Sequence, residues 1–172
     1  MLLSLNWLRE LVRFSESPEV LADRLTMTGS EVESIERPGE KLSGVVVARV
    51  TALEPHPSRE GLRVARVAWN DREALCVSGA PNVAVGHRVP YALPGATLAD
   101  GTVLGVRDFD GLRSEGMMLS AEELGQPLVA TDFGILILPE DAPEGADAVA
   151  WLGLDDVILD VSVTPNRGDL LS

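Results

Sequence analysis

The arginines in the middle of this sequence are its best candidates for binding chemistry. A guanidinium group donates paired hydrogen bonds to a phosphate or a carboxylate, and eight arginines lie between residues 43 and 148. The same stretch contains the aromatic side chains that could stack on bases, namely Trp69, Tyr91, Phe109 and Phe133. Cations that hold a phosphate backbone and flat groups that stack on bases favour contacts with single-stranded nucleic acid.

Seven residues are the main candidates for RNA contacts. They are arginines and small polar residues of strands and loops in that stretch: Arg59, Arg63, Asn82, Arg107, Arg113, Ser114 and Ser120. The overall charge opposes such contacts, because 27 acidic residues against 14 basic ones give a net charge of −13. Any contact with RNA must therefore be local, weak by itself or supported by a larger assembly. The alternative is that these arginines are ordinary surface charges.

No set of side chains in the sequence has the spacing of a catalytic centre or a metal site. His56 lies between two prolines without a second histidine or cysteine at metal-ligand spacing, so we expect a packed loop residue. Cys76, the only cysteine, is flanked by apolar residues and is expected to be buried and unreactive. Acidic pairs such as Glu122-Glu123 have no accompanying groups for acid–base chemistry. We expect no catalytic residue, no metal ligand and no cofactor in this chain.

The elements at the two ends of the chain predict one small domain. Ser4 and Ser17 stand at capping positions before two short helical segments, and Gly29 is placed to end the second helix. A strand at 31–37 is expected to pair with a strand at 157–163, whose valines and Leu159 share one face. The two ends then form a discontinuous α+β domain of residues 1–40 and 149–172. A helix cap at Asn166 or Asp169, with little chain after it, predicts a protein truncated at its C-terminus.

The middle of the chain predicts a mainly β domain of residues 41–148. Short apolar strands separated by Gly and Pro are typical of a sandwich or a small barrel. A shift of the apolar alternation within 62–69 predicts a β-bulge there. The predicted strands are 45–53, 62–69, 74–78, 88–93, 102–106, 116–120 and 134–138.

Seven short motifs carry a resemblance to a known family. They are Ser4–Leu8, Glu31–Glu36, Glu54–Pro57, Ser78–Val83, Ala92–Ala96, Ser114–Ser120 and Val163–Arg167. Their order along the chain is similar to that in the β subunit of bacterial phenylalanyl-tRNA synthetases. The resemblance covers nearly the whole sequence and corresponds to the N-terminal region of that subunit.

The resemblance implies an OB-fold barrel of the tRNA-binding type, inserted into a small helix-turn-helix-like domain. It further implies that the parent enzyme is an α₂β₂ tetramer that uses ATP and Mg²⁺ to attach phenylalanine to its tRNA, with catalysis in the α subunit. The expected partners are tRNA, through auxiliary contacts, and that α subunit. For the motif 114–118 two interpretations are open: a polar edge facing RNA, or a glycine-permitted turn that places Met118 in the barrel mouth.

A second hypothesis is a structural or protein-interaction module with no RNA affinity of its own. A free-standing enzyme has no supporting residues in the sequence. The longest apolar run, residues 44–48, is far shorter than the roughly 20 residues of a membrane span. Together with the single cysteine, this predicts a cytoplasmic protein without a membrane partner.

Overall fold

The computed structural model describes residues 1–126 and 134–163. The chain divides into two compact units: unit 1 is Met1–Pro38 with Leu154–Ser172, and unit 2 is Gly39–Gly153. Phe133 and the predicted helix cap at Asn166 or Asp169 lie outside the described residues. Within the described ranges, no helix has the length and apolarity needed to cross a membrane.

Ten strands and three helices are present in the described residues. In chain order they are β1 (Leu2–Ser4), α1 (Leu5–Leu11), α2 (Pro18–Met27), β2 (Val32–Glu36), β3 (Ser43–Pro55), β4 (Arg63–Trp69), β5 (Arg72–Ser78), β6 (Arg88–Thr97), β7 (Arg107–Phe109), β8 (Leu112–Ser114), β9 (Met117–Met118), α3 (Ala148–Trp151) and β10 (Ile158–Val161).

The two helices of unit 1 begin at the predicted N-cap residues, Ser4 and Ser17. The Ser4 hydroxyl accepts a hydrogen bond from the backbone N–H of Trp7 at 3.0 Å, and the Ser17 hydroxyl accepts one from Val20 at 3.4 Å. Helix α2 is followed by Gly29 with a φ of 95°, a backbone conformation that favours glycine. The predicted helix starts and the glycine that ends α2 are therefore confirmed.

The sheet of unit 1 has the order β1-β10-β2, with both pairs antiparallel. Leu159 of β10 lies opposite Ile35 of β2, which confirms the predicted pairing of the segments 31–37 and 157–163. The helices cover one face of this sheet, and the buried core contains Leu5, Ala22, Leu159 and Val161.

Unit 2 is built on a curled five-stranded antiparallel sheet with the order β5-β4-β3-β6-β9. The two edges of this sheet meet next to β9. The Glu115 N–H donates to the Leu75 carbonyl oxygen at 2.8 Å, and the Val77 N–H donates to the Ser114 hydroxyl at 3.1 Å. A five-stranded, partly open barrel of this kind is an OB-fold. The predicted fold class, an OB barrel with an α+β flank, is confirmed.

Two aromatic side chains, Trp69 and Tyr91, lie in the interior of the barrel. Tyr91 is fully buried and Trp69 is 8% exposed, and their ring centroids are 5.4 Å apart. Burial raises the pKa of the Tyr91 hydroxyl far above its usual value, and this hydroxyl donates to the Glu115 carbonyl oxygen. Both rings belong to the core, so the expectation that they offer stacking surfaces to bases is wrong. Large flat side chains fill a small barrel efficiently, and sequence alone does not distinguish that use from stacking.

Two predicted strands are absent from the described residues. Residues 102–106 form only an isolated bridge at Val103, and residues 134–138 form only one at Leu138. The chain instead makes the hairpin β7–β8, whose two-residue loop, Asp110-Gly111, has φ angles of 52° and 89°. Positive φ at both positions indicates a type I′ turn, which matches the twist of a two-stranded hairpin.

The β-bulge lies in β3, between Val50 and Ala52, and not in β4 as predicted. Strand β4 points the side chains of Ala65, Val67 and Trp69 into the core without interruption. Val64 faces the other way and lines a surface groove together with apolar and charged side chains. The shift of the apolar alternation in the sequence therefore arises because apolar residues of β4 lie on both faces of the sheet, and not because the strand contains an extra residue.

Candidate nucleic-acid interface

The outward face of strands β3, β4 and β5 forms a groove of about 290 Å³. Arg66 lies opposite Ala52 on one neighbouring strand and opposite Leu75 on the other, so these three side chains share one face of the sheet. We call this surface the outer groove. Its lining consists of Ala52, Glu54, Pro55, Pro57, Val64, Arg66, Leu75 and Leu112.

Two connections of the barrel border the outer groove. The segment 56–62 joins β3 to β4 and contributes Pro57, while the β7–β8 hairpin lies in the connection from β6 to β9 and contributes Leu112. Strands β4 and β5 are the second and third strands of the barrel. OB-folds bind oligonucleotides on the face of these two strands, between these two connections. The outer groove therefore lies at the position where OB-folds in general bind oligonucleotides.

His56 fixes the conformation of the segment 56–62. Its Nδ1 accepts hydrogen bonds from the backbone N–H groups of Ser58 and Arg59 at 3.2 and 3.1 Å, and its Nε2 lies 3.2 Å from the Phe109 carbonyl oxygen. These contacts assign the proton to Nε2, which donates to Phe109. The His56 residue is 6% exposed. His56 is thus a packed loop residue, as predicted, and it connects the loop to the β7–β8 hairpin.

Arg59 is bound to the tip of the same hairpin. Its Nε and Nη2 atoms donate to the two carboxylate oxygens of Asp110, each at 2.7 Å, and the guanidinium lies 5.6 Å from the centre of the Phe109 ring. Ser58 donates a further hydrogen bond to Asp110 at 3.0 Å. The hydrogen bonds from Arg59 and then Ser58 lower the pKa of the Asp110 carboxyl to about 2. The pair is therefore charged at neutral pH.

Arg107 and Arg113 are exposed and lie on opposite faces of the β7–β8 hairpin. Arg107 pairs with Ser114 and Arg113 with Asp108, and directly opposed residues share a face. Arg113 also lies 3.4 Å from Glu115. It borders a second groove, which is lined by Trp69, Arg72, Glu73, Ala74, Leu93, Pro94, Val106, Arg113 and Glu115. The structure therefore separates the arginines that the sequence grouped together.

The side chains of Arg63 and Asn82 form hydrogen bonds with the backbone of unit 2. The Arg63 guanidinium donates to the carbonyl oxygens of Val83, at 3.1 Å, and Ala80. The Asn82 amide donates to the Ile135 carbonyl oxygen at 2.8 Å and accepts from the Ile135 N–H at 3.1 Å. Both side chains thus hold loops in place.

Ser114 and Ser120 also make contacts inside the unit. Ser114 is buried, accepts from the Val77 N–H and donates to the Gly116 carbonyl oxygen at 3.2 Å. Ser120 and Glu123 bond reciprocally, with the Ser120 N–H and hydroxyl donating to the Glu123 carboxylate at 2.7 and 2.8 Å. This is a capping-box arrangement. Of the two interpretations of the motif 114–118, the structural one describes its geometry, because Met118 is buried in the core.

Arg66 is the cation of the outer groove and was not among the seven candidates. Its side chain is 57% exposed and lies 3.8 Å from Glu73, a distance at which a surface ion pair stabilises little. Only its place on the outward face distinguishes it from Arg63, and two residues of strand lie between the two. Side chains alternate between the two faces of a strand, so the core positions of β4 imply that Arg66 points outward. This alternation was the signal that could have identified Arg66 from the sequence. The groove offers one exposed guanidinium, an apolar floor and the Arg59–Asp110 pair at its edge.

Comparisons with known proteins agree with this geometry. The family described as Putative tRNA binding domain matches residues 45–147. Proteins named phenylalanine–tRNA ligase β subunit are similar over the whole chain: one from Anaeromyxobacter dehalogenans is 48% identical over 173 residues, and one from Nitratidesulfovibrio vulgaris is 46% identical over 173 residues. One from Hahella chejuensis is 44% identical over 166 residues, or 96% of this chain.

The chain spans 21% of the length of each of these relatives. A solved structure of a MetRS related protein from Pyrococcus horikoshii is 20% identical, with a TM-score of 0.44, over 59% of this chain and 85% of that one. The resemblance inferred from the seven motifs is confirmed by the named relatives. Because the family match covers more than half of the sequence and nearly all of the barrel, the chain belongs to the family of tRNA binding domains.

Proposed function

We propose that this chain is the tRNA-binding part of a phenylalanine–tRNA ligase β subunit and that it contacts tRNA through the outer groove. The observation that carries the proposal is the position of this groove. It lies on the second and third strands of an OB barrel, between the two connections that such barrels use for oligonucleotides. The family match to tRNA binding domains covers the same residues.

Within this proposal the larger enzyme is a cytoplasmic α₂β₂ tetramer that attaches phenylalanine to tRNA. ATP and Mg²⁺ are used there by the catalytic α subunit, and this chain adds auxiliary tRNA contacts and assembly surfaces. The relatives support the assignment, since they are named as β subunits of this ligase and are 41–48% identical to the chain. A β subunit implies a partner subunit of a different kind.

The proposed contact is weak and local. The net charge of −13 repels a polyanion, and among the residues that the structure describes Arg66 is the one arginine that lines the outer groove. We expect a dissociation constant on the order of 10⁻⁵ M at low salt, within the range of non-specific binding. In the assembled enzyme, contacts of other parts of the enzyme with the tRNA would raise the effective concentration of tRNA at the outer groove.

A titration with labelled tRNA tests the proposal with two matched variants. Arg66 and Arg113 are both exposed arginines next to a glutamate, but only Arg66 lines the outer groove. We expect Arg66→Glu to weaken binding about tenfold and to reduce the salt dependence by about one phosphate contact. Arg113→Glu makes the same change of charge in the second groove and is expected to have a much smaller effect.

Two results would count against the proposal. Equal effects of the two variants would show that tRNA responds to the overall charge and not to the outer groove. No binding of tRNA by the unmodified chain at low salt and tens of micromolar protein would leave the barrel without RNA affinity of its own.

A further inference from the structure

We infer that Asp110 occupies the position of an RNA phosphate on Arg59 in the free protein, so that tRNA must displace this carboxylate to use Arg59. The inference rests on the proposed function of the outer groove, because Arg59 lies in the connection that borders it. It adds to that function an internal competitor, a carboxylate that limits the affinity of the site for phosphodiesters.

The geometry of the Arg59–Asp110 contact supports this substitution. Two guanidinium nitrogens each donate to one carboxylate oxygen at 2.7 Å. Guanidinium groups bind carboxylates and phosphates with the same paired arrangement, so a phosphate can take the same two hydrogen bonds. The Arg59 and Asp110 side chains are 44% and 45% exposed, so a phosphate can approach the pair from solvent.

The protein holds Asp110 in place independently of Arg59. Asp110 is the first residue of the two-residue turn between β7 and β8, and its carboxylate accepts a hydrogen bond from Ser58 at 3.0 Å. The hairpin that carries it is bonded to His56 through the Phe109 carbonyl. The fold thus places the carboxylate against Arg59, and the lowered pKa of this carboxyl keeps it ionised at neutral pH.

Removal of the Asp110 charge should leave the rest of the site intact. Asn tolerates the positive φ of 52° at this position, and Asn-Gly is a preferred sequence for a type I′ turn. The guanidinium of Arg59 would still lie over the Phe109 ring. Asp110→Asn therefore releases a positive charge at the edge of the outer groove without removing the elements that position it.

The test is a tRNA titration of Asp110→Asn against Asp71→Asn over a series of salt concentrations. Asp71 is an exposed residue in the β4–β5 turn, so its variant makes the same change in net charge away from Arg59. We expect Asp110→Asn to bind tRNA about two- to fivefold more tightly than the unmodified chain, the range that corresponds to one surface ion pair. Its salt dependence should rise by about one phosphate contact. Asp71→Asn should change both quantities much less.

Arg59→Ala completes the experiment. In the unmodified chain this variant should weaken binding, because it leaves the Asp110 carboxylate without its cation at the edge of the outer groove. In the Asp110→Asn background it should abolish the gain. If tRNA binds and depends on Arg66 but Asp110→Asn behaves like Asp71→Asn, the inference is overturned and the proposed function stands. If Arg66→Glu and Asp110→Asn both leave binding unchanged, or if no variant binds tRNA, both are overturned.

Discussion

At the scale of single residues, the arginines of unit 2 differ in what their guanidinium groups bind. Arg63 satisfies two backbone carbonyls, Arg59 binds the Asp110 carboxylate, and Arg66 is exposed in the outer groove. The sequence identifies all three as donors but not their acceptors, because an acceptor on another segment is known only after the chain has folded. For this reason the residue types predicted hydrogen bonding by guanidinium groups, whereas the structure was needed to show which arginine is exposed in the outer groove.

Arg63→Ala should destabilise unit 2 by about 1–3 kcal/mol, because the carbonyl oxygens of Ala80 and Val83 lose their donor. The change can be measured from the labelling rate of Cys76. This is the only cysteine of the chain, it is fully buried in the barrel core, and burial raises the pKa of its thiol. Labelling therefore requires unit 2 to open.

Arg113→Ala is the matched control for this measurement. Its side chain is 69% exposed, and we expect its removal to change the stability by less than about 0.5 kcal/mol. Similar labelling rates in the two variants would contradict the structural role that we assign to Arg63.

At the scale of elements, the closure of the barrel positions the outer groove. Closure depends on the segment 114–118, where the Glu115 N–H bonds to β5 and Gly116 passes close to Tyr91. Strands β3 to β6 were predictable from their alternation and their bordering turns. The hairpin β7–β8 was not, because its strands have three residues each and are too short for a periodic signal. The Asp110-Gly111 pair, whose residue types favour a type I′ turn, was the one clear sign of it.

Gly116→Ala should prevent normal closure of the barrel. The residue has a φ of 123°, and an added Cβ would lie 2.5 Å from the Tyr91 hydroxyl oxygen. Backbone strain and this overlap together should cost about 2–4 kcal/mol. The expected result is faster labelling of Cys76 and a lower midpoint of urea unfolding.

Gly105→Ala is the control for this second variant. Its added Cβ would meet no atom within 4 Å, and its φ does not lie in the positive range. We expect a stability close to that of the unmodified chain, or slightly higher. Equal stability of the Gly116 and Gly105 variants would show that the close approach to Tyr91 does not control closure.

At the scale of the whole molecule, the proposed nucleic-acid surface is a small, local feature of a strongly acidic chain. The fold class and the family could be predicted from the sequence, since the capping residues of unit 1 and the seven motifs depend on order along the chain. The position of the proposed nucleic-acid surface could not be predicted from the sequence. It depends on which faces of three strands lie outward, and on a loop and a hairpin that are distant in sequence and come together only in the folded chain.

The most direct test of the account is a map of backbone amide shifts during titration of the isotope-labelled chain with tRNA. We predict that the largest shifts lie around the outer groove, at Arg59, Arg66, Leu75 and the β7–β8 hairpin, and that they diminish as salt is added. Shifts confined to unit 1 or to the second groove, or spread evenly over the surface, would contradict it.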